Sequence, residues 1–400
     1  MRHISDVERR SRIAQRHAIA PAARVRDPEA ATRAMTVLHA TEPATVYLSL
    51  LARVHDLAVD DVDRALYTER SVVKQLAMRR TLFVFPRDLL PAAWGSASAR
   101  VAAQVGPRLA KEAEAAGIAV DGGAWLEGAR RGVLDRLADG AELSAQALRE
   151  QVPALHGRIT VSAGKAYGGD FPIAPRVLTL LGLEGLITRG HNGGHWRTSR
   201  PQWTLMSAWL GEEPEPWSSE AGYAELAGRW LRTFGPGTTA DLRWWLGGTV
   251  SAVRKALDTL GAVEVGLDGP DPGWVLPGDE EPTADGGGEP WAALLPVLDA
   301  TVMGWKDRGF FLGPHSAALF DPNGNAGTTA WWDGRIVGCW VQDPDGAVEV
   351  RLLEPVPEEG RLALDVEAAR LSAWLGGTRV GTPYTAPAMR ADWKGAGFTG

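Results

Sequence analysis

With 400 residues, the chain is too long for a single hydrophobic core, and an apolar share of 45% with 23% charged residues is ordinary for a globular protein of two to four units. The lone cysteine, Cys339, excludes a disulfide framework and a cysteine-based zinc site. No run of about 18 apolar residues suggests a membrane span, and the charged start Met1–Arg10 has no apolar signal region, so a cytoplasmic location and no membrane partner are expected.

The net charge of −7 counts against nucleic acid only if it is evenly spread, and it is not. From Arg70 to Arg108 the chain carries Arg70, Lys74, Arg79, Arg80, Arg87, Arg100 and Arg108 against Asp88 alone, while acids collect at Glu212–Glu215 and Asp279–Glu289. A phosphate backbone responds to the field of one face rather than to the molecular sum.

In chain order, Asp27-Pro28-Glu29 reads as a helix start, which places His39 and Thr41 at that helix's C-terminal end, just before Pro43. Two readings of the pair stay open. They cap exposed carbonyls while Val37, Leu38, Val46, Leu48 and Leu50 fill a core, or they place an imidazole and a hydroxyl for chemistry. Val59–Leu66 and Ser71–Met78 follow as helices and Thr81–Phe85 as a strand ending at Pro86, the order of a winged helix. Residues 88–140 are alanine-rich and helical, with breaks expected at Gly106-Pro107 and Asp121–Gly123.

A second unit has a helix capped by Ser144, a helix from Ala174 to Gly185, and a hairpin turning at Asn192-Gly193-Gly194. In a third, Glu220–Phe234 is a helix, Thr238 caps a second with Asp241 at its third position, Gly247-Gly248 turns into Thr249–Leu260, and Ala262–Val265 with Gly273–Leu276 supply two strands. Asp279–Pro290 reads as an acidic linker. Strands are expected at Thr328–Trp332, Arg335–Gln342, Ala347–Glu354 and Arg361–Val366, with turns at Asp333-Gly334 and Asp345-Gly346 and a closing helix from Val366 to Leu375. The expected fold is α+β, three tandem winged-helix units followed by a small C-terminal β-barrel. Its divisions are 1–140 (with a helical extension), 141–210, 218–278 and 291–400.

The chain has no phosphate-binding loop, no Gly-x-Ser-x-Gly elbow, no His-Glu-x-x-His and no dinucleotide fingerprint. His191 and His195 flank a hairpin turn rather than sharing a helix face, so no metal is expected there.

Several stretches occur in one order: Leu38-His39-Ala40-Thr41-Glu42-Pro43-Ala44 with Leu48-Ser49-Leu50, Ala77–Leu82, Ala240–Leu246, Leu294–Asp299 leading to Gly304-Trp305-Lys306-Asp307-Arg308, Phe320–Gly324 and Asp333–Gly338. Together they resemble the bacterial winged-helix DNA glycosylases that unhook interstrand crosslinks, the AlkZ/YcaQ-like family, over essentially the whole chain. The resemblance implies a concave surface around duplex DNA. It also implies a Gln-x-Gln or Gln-x-Asp pair that places the water attacking the sugar C1′ of an N7-alkylated purine. Such a base is cationic and leaves readily, so orientation of water and stabilisation of an oxocarbenium-like state suffice, without metal or organic cofactor. Here the pair is His39 and Thr41. A neutral imidazole can accept a proton from water, and threonine can orient that water but cannot carry a carboxylate's charge. For the DNA face, Arg79, Arg80, Arg176, Arg189, Lys306 and Arg308 are the candidates, with phosphate contacts that are salt-dependent and little selective for sequence.

The expected function is therefore a monofunctional DNA glycosylase, acting as a monomer on alkylated purines in repair or genotoxin resistance. The alternative is a non-catalytic DNA-binding protein or regulator on the same scaffold, and a third reading is a protein-interaction scaffold.

Overall fold

Asp27 opens the first element that matters for the site: its carboxylate accepts from the Ala30 N–H at 2.8 Å and caps the helix Pro28–Ala34. That helix ends earlier than its apolar pattern suggests. Met35 caps it, Thr36 turns the chain with φ of 63°, and Leu38–His39 form a short strand. His39 and Thr41 therefore cap no helix C-terminus. They precede a second helix, Pro43–Leu51, whose residues from Ala44 to Leu51 are all buried.

The computed structural model describes residues 1–161, 168–281 and 289–393. Most of the expected acidic linker lies outside them. By compactness the chain forms two units, Met1–Ala65 with Ala224–Gly400, and Leu66–Tyr223. No described helix is long and apolar enough to cross a membrane.

One order of elements recurs along the chain: helix, short strand, helix, helix, two strands. It runs first through Pro28–Ala34, Leu38–His39, Pro43–Leu51, Val59–Asp63, Val72–Leu76 and Leu82–Pro86. The segment Ser71–Met78, expected as a helix, is instead a strand paired antiparallel with Leu82–Pro86, Val72 opposite Pro86 and Leu76 opposite Leu82. Val72 and Val73 favour the pleat, and the apolar side chains on both strands are buried. The order recurs at Gly122–Leu137, Leu143–Ser144, Ala145–Gln151, Ala174–Leu183, Ile187–Asn192 and Pro201–Leu205, with a hairpin of Arg158–Val161 and Gly169–Pro172 inserted between its second and third helices. It appears again at Ser219–Phe234, Gly237–Thr238, Thr239–Leu246, Val250–Thr259, Val263–Val265 and Gly273–Val275. In these last two sets the short first strand pairs with the final strand of the hairpin, giving the same three-stranded order. The break expected at Gly106-Pro107 is absent, since Pro107 sits inside the helix Ala99–Ala115, which buries Ala102, Leu109 and Ala113.

The C-terminal region is an open sheet, not a closed barrel. Ala292–Leu295, Thr329–Trp332, Arg335–Gln342 and Val348–Leu352 form an antiparallel meander in that order, and among the described residues its outer strands do not pair. The expected strand Arg361–Val366 lies within the helix Glu358–Leu375. Glu358 and Glu359 favour that helix start, and Leu364, Ala368, Leu371 and Leu375 are buried.

A buried polar network ties the first helices to the loop at Pro296–Thr301. Thr45, Ser49 and Arg53 are spaced four apart, hence on one helix face. Thr45 Oγ1 donates to the Val297 carbonyl at 2.9 Å and Ser49 Oγ to Asp299 at 2.7 Å. Arg53 grips both Asp299 oxygens at 2.7 and 2.9 Å and donates to Thr301 Oγ1 at 2.8 Å. Both members of the ion pair are fully buried. Burial opposes ionisation of Asp299, but the Arg53 charge and the hydrogen bonds from Arg53, Ser49 and the Thr301 N–H outweigh it and hold the carboxyl below its usual range. The network continues from Thr301 Oγ1 to His17 Nδ1 at 2.9 Å, from His17 Nε2 to the Thr233 carbonyl at 3.2 Å, and from the Thr233 hydroxyl to the Ala34 carbonyl and Thr36 hydroxyl, both at 2.9 Å.

Removing one partner of a buried pair strands the other charge, so Asp299→Ala should lower unfolding stability by about 3–5 kcal/mol in urea titrations. A second outcome concerns His17. Burial, reinforced by Arg53, lowers its pKa from 6.5 to about 3. The unfolded chain then takes up the proton first as pH falls, so stability is complete above about pH 6.5 and declines down to about pH 3. Between pH 6.5 and 4 the wild type should lose roughly 3 kcal/mol more stability than His17→Gln. Parallel pH profiles of the two proteins would refute this assignment.

Candidate active site

The segment Leu38–Pro43 divides its side chains sharply. His39 is 6% exposed and Glu42 is 8% exposed, while Thr41 between them lies open to solvent. Thr41 makes no hydrogen bond among the described residues. Glu42 has extended backbone, with φ of −98° and ψ of 119°, and occupies the position before the first turn of the helix Pro43–Leu51 without capping it. Its carbonyl accepts from the Thr45 N–H at 3.1 Å. Burial pushes the Glu42 carboxyl above the usual carboxylate range. This carboxylate stands in the matched motif but was assigned no role from sequence; an acid placed between apolar stretches was the available signal.

In the unit Leu66–Tyr223, three of the expected cationic residues come together. A cleft of about 590 Å³ is lined by Arg79, Arg80 and Arg176, joined by Arg108, Gln104 and Glu112. Arg79 and Arg80 do not end a helix. They form the tip between Val72–Leu76 and Leu82–Pro86, both in left-handed conformation with φ of 55° and 63°. That conformation costs a side-chain-bearing residue about 1–2 kcal/mol, so hairpin closure holds them against a local preference. Although Arg79 is exposed as a residue, burial of its guanidinium lowers its pKa to about 10, which still leaves it cationic at neutral pH. Glu112 binds Arg176 at 2.5 Å and Arg108 at 2.9 Å, and four guanidiniums face this one lining carboxylate. The cleft therefore keeps a positive field.

Arg189 is placed differently. Its guanidinium lies over the Trp203 ring at 5.3 Å and burial lowers its pKa. Lys306 is exposed, and Arg308 lies 5.1 Å over Trp244 and 4.8 Å over Phe320. Their loop is fixed from below. Asp241 accepts from the Lys306 and Asp307 N–H groups at 2.8 and 3.0 Å with one carboxylate oxygen. Its other oxygen accepts from the Thr238 N–H at 3.0 Å and hydroxyl at 2.8 Å, completing a capping box. Trp305 Nε1 donates to the Phe234 carbonyl and Trp230 Nε1 to the Gly304 carbonyl, both at 3.1 Å. A Cβ on Gly304 would stand 2.4 Å from the Phe234 ring, so glycine is required there. Two motifs separated by some sixty residues are thus one structural feature.

The family model described as "DNA glycosylase AlkZ-like" matches residues 32–374. The chain belongs to the AlkZ-like DNA glycosylase family. The solved structure of Streptomyces sahachiroi DNA glycosylase AlkZ aligns with 93% of this chain and 97% of that chain, at 20% identity and a TM-score of 0.71. That likeness shows a shared mixed α+β fold. No curated protein matches the chain. Within the family the matched region contains the His39-x-Thr41 segment, the arginine tip and the Asp241 loop clamp.

The contrast in burial separates the site residues in a stability measurement. Thr41→Ala should change unfolding free energy by less than about 0.5 kcal/mol, as exposed substitutions do. His39→Ala should cost about 1–3 kcal/mol, because it opens a buried space. Urea titrations of both variants check this, and equal costs would contradict the placement of Thr41.

Proposed function

We propose that this AlkZ-like protein is a monofunctional DNA glycosylase that hydrolyses the N-glycosidic bond of N7-alkylated purines in duplex DNA. The observation that carries the reading is the family match across residues 32–374, with His39 and Thr41 at the head of an anchored helix. In this mechanism Thr41 orients a water molecule and a neutral ring nitrogen of His39 accepts its proton. The water oxygen bonds to C1′ as the C1′–N bond breaks, and the bonding pair neutralises the purine's positive charge. The products are an abasic sugar and a neutral alkylated base. The cationic base supplies the leaving-group activation, so the chemistry calls for no metal or organic cofactor.

Arg79, Arg80 and Arg176, with Arg108, are the phosphate contacts best supported by geometry, since one cleft gathers them. Lys306 and Arg308 form a second cationic point on the clamped loop, and Arg189 contributes from its place over Trp203. The order helix, strand, helix, helix, hairpin, found three times among the described residues, supports reading the chain as three winged helices. A second reading, DNA binding without catalysis, is favoured by one observation: His39 keeps only 6% of its surface.

The deciding experiment incubates the protein with duplex DNA carrying N7-methylguanine and then cleaves abasic sites with alkali. Strand breaks are expected, falling by a factor of about 10²–10⁴ in His39→Ala and less in Thr41→Ala. His39→Gln, which restores the family's usual residue, should retain activity. Tight binding without breaks would establish the non-catalytic reading. In duplex-binding titrations, Arg79→Ala with Arg80→Ala should reduce the slope of log affinity against log salt by up to about 2. An unchanged slope would remove the arginine tip from the DNA face.

A further inference from the structure

Next to the His39-Ala40-Thr41 segment, within the unit Met1–Ala65 with Ala224–Gly400, lies a cleft of about 300 Å³. Its walls come from the helix Pro43–Leu51, the Pro296-Val297 loop, the strand Arg335–Gln342 and the chain from Arg379 to Met389. Glu42 lines it, more than nine-tenths buried, and its carboxylate makes no hydrogen bond or ion pair with any described residue. Burial raises the Glu42 pKa, while its carboxylate oxygens are not themselves fully buried and so stay accessible from the cleft. A chain retains such a group where something from outside completes it.

The other polar groups of the cleft already have partners. Thr45 Oγ1 donates to the Val297 carbonyl at 2.9 Å, and Thr328 Oγ1 donates to the Trp340 carbonyl. Gln342 donates to the carbonyls of Gly346 and Thr378, both at 3.0 Å, and accepts from the Val380 N–H at 2.8 Å. Thr385 Oγ1 donates to the Thr382 carbonyl at 3.2 Å. Arg379 is exposed and donates to the Pro344 carbonyl at 3.3 Å. What these walls leave for a ligand is the Glu42 carboxylate, hydroxyl lone pairs, the apolar surfaces of Leu48, Trp340 and Met389, and the exposed Arg379 guanidinium. This is an acceptor-rich, partly aromatic cleft at the small end of ligand-pocket sizes, with Glu42 as its buried charge and Arg379 as its exposed one.

We infer that this cleft binds a planar heterocyclic cation bearing N–H donors, with the Glu42 carboxylate as its counter-charge. An N7-alkylated purine has that chemistry: a flat ring, a delocalised positive charge and edge N–H groups. The identification of the cation as a purine rests on the function proposed above, whereas the preference for a planar cation rests on the cleft itself. The ring would lie against apolar surface and the charge against Glu42, which discriminates the alkylated base from its neutral parent. Placement beside a helix start gives the carboxylate a second use. The first N–H groups of the helix Pro43–Leu51 carry positive partial charge, which disfavours an oxocarbenium-like centre nearby, and an anion at Glu42 offsets it.

The experiment measures equilibrium binding of 7,9-dimethylguaninium, a cation at pH 6, and of neutral 9-methylguanine. The wild type should prefer the cation at least tenfold. Glu42→Gln, which keeps the shape and removes the charge, should abolish that preference. Gly381→Trp is the second variant: a Cβ at Gly381 meets nothing within 4 Å, so the ring can enter the cleft mouth and should block both ligands. Equal affinity for cation and neutral base, or a preference that survives Glu42→Gln, would overturn the inference. Competition by duplex DNA carrying N7-methylguanine separates the sources. Displacement of the free cation places the attached base in the cleft, and absence of displacement assigns the cleft to the released base. The alkali-cleavage assay is independent. Excision by a wild type that shows no cation preference would sink the cleft and keep the glycosylase. A Glu42-dependent preference without excision would do the reverse.

Discussion

The fully buried pair of Arg53 and Asp299 is the constraint on which the site depends. Two charges out of water are a net cost unless every donor and acceptor finds a partner. Here Ser49, Thr301 and two backbone groups meet most of that need at distances of 2.7 to 2.9 Å, and Arg53 Nε alone of the pair's polar atoms is left without a partner among the described residues. Because Thr45, Ser49 and Arg53 share one helix face, satisfying Asp299 also fixes the rotation of the helix Pro43–Leu51. Fixing that rotation fixes where Thr41 and Glu42 emerge at its head. The relay through Thr301, His17 and Thr233 then reaches Ala34 and Thr36, the turn that launches the Leu38–His39 strand. Both ends of the candidate site are held by one network of buried polar groups.

That network also explains why the family motifs lie where they do. Ser49 and Asp299 fall in two of the stretches that carry the resemblance, and they are bonded to each other at 2.7 Å. Asp241 and the loop Gly304–Arg308 fall in two others and are likewise joined, through the Lys306 and Asp307 N–H groups. A large part of the sequence signal for the family is therefore scaffold chemistry. Such residues identify the fold and its anchoring, and they constrain the chemistry at the head of the helix less tightly.

Elements with local chemistry were legible before the structure. The Thr238 capping box, the Ser144 cap, the helix start at Asp27 and the turn at Asp333-Gly334, whose φ angles are 44° and 77°, all follow from short-range rules. Two errors share one cause. Ser71–Met78 reads as helical because nothing between it and Thr81 resembles a turn, yet the chain turns on two left-handed arginines that no propensity rule would select. Arg361–Val366 reads as a strand because it follows three strands, yet Glu358 and Glu359 start a helix whose buried face runs on to Leu375. In both cases a tertiary arrangement overrode the local pattern. For the proposed pair, the sequence could name His39 and Thr41 but not their depth, since only the packed helix shows that one is buried and the other exposed.

That difference in depth bears directly on mechanism. A general base works best where water has limited access, and an orienting hydroxyl works best where water can arrive. In the proposed mechanism, buried His39 and exposed Thr41 would divide those requirements between two residues. The division leaves one need unmet, because neither side chain carries the negative charge that stabilises an oxocarbenium-like centre. Threonine cannot supply it, and a histidine that has taken the proton of the attacking water becomes positive itself. The carboxylate next in the chain, Glu42, is the nearest group in sequence able to restore the balance. Its residue is largely buried, its pKa is raised by that burial, and it has no partner among the described residues to neutralise it first. In the proposed reaction, a carboxylate at the helix head would supply the negative charge that His39 and Thr41 lack.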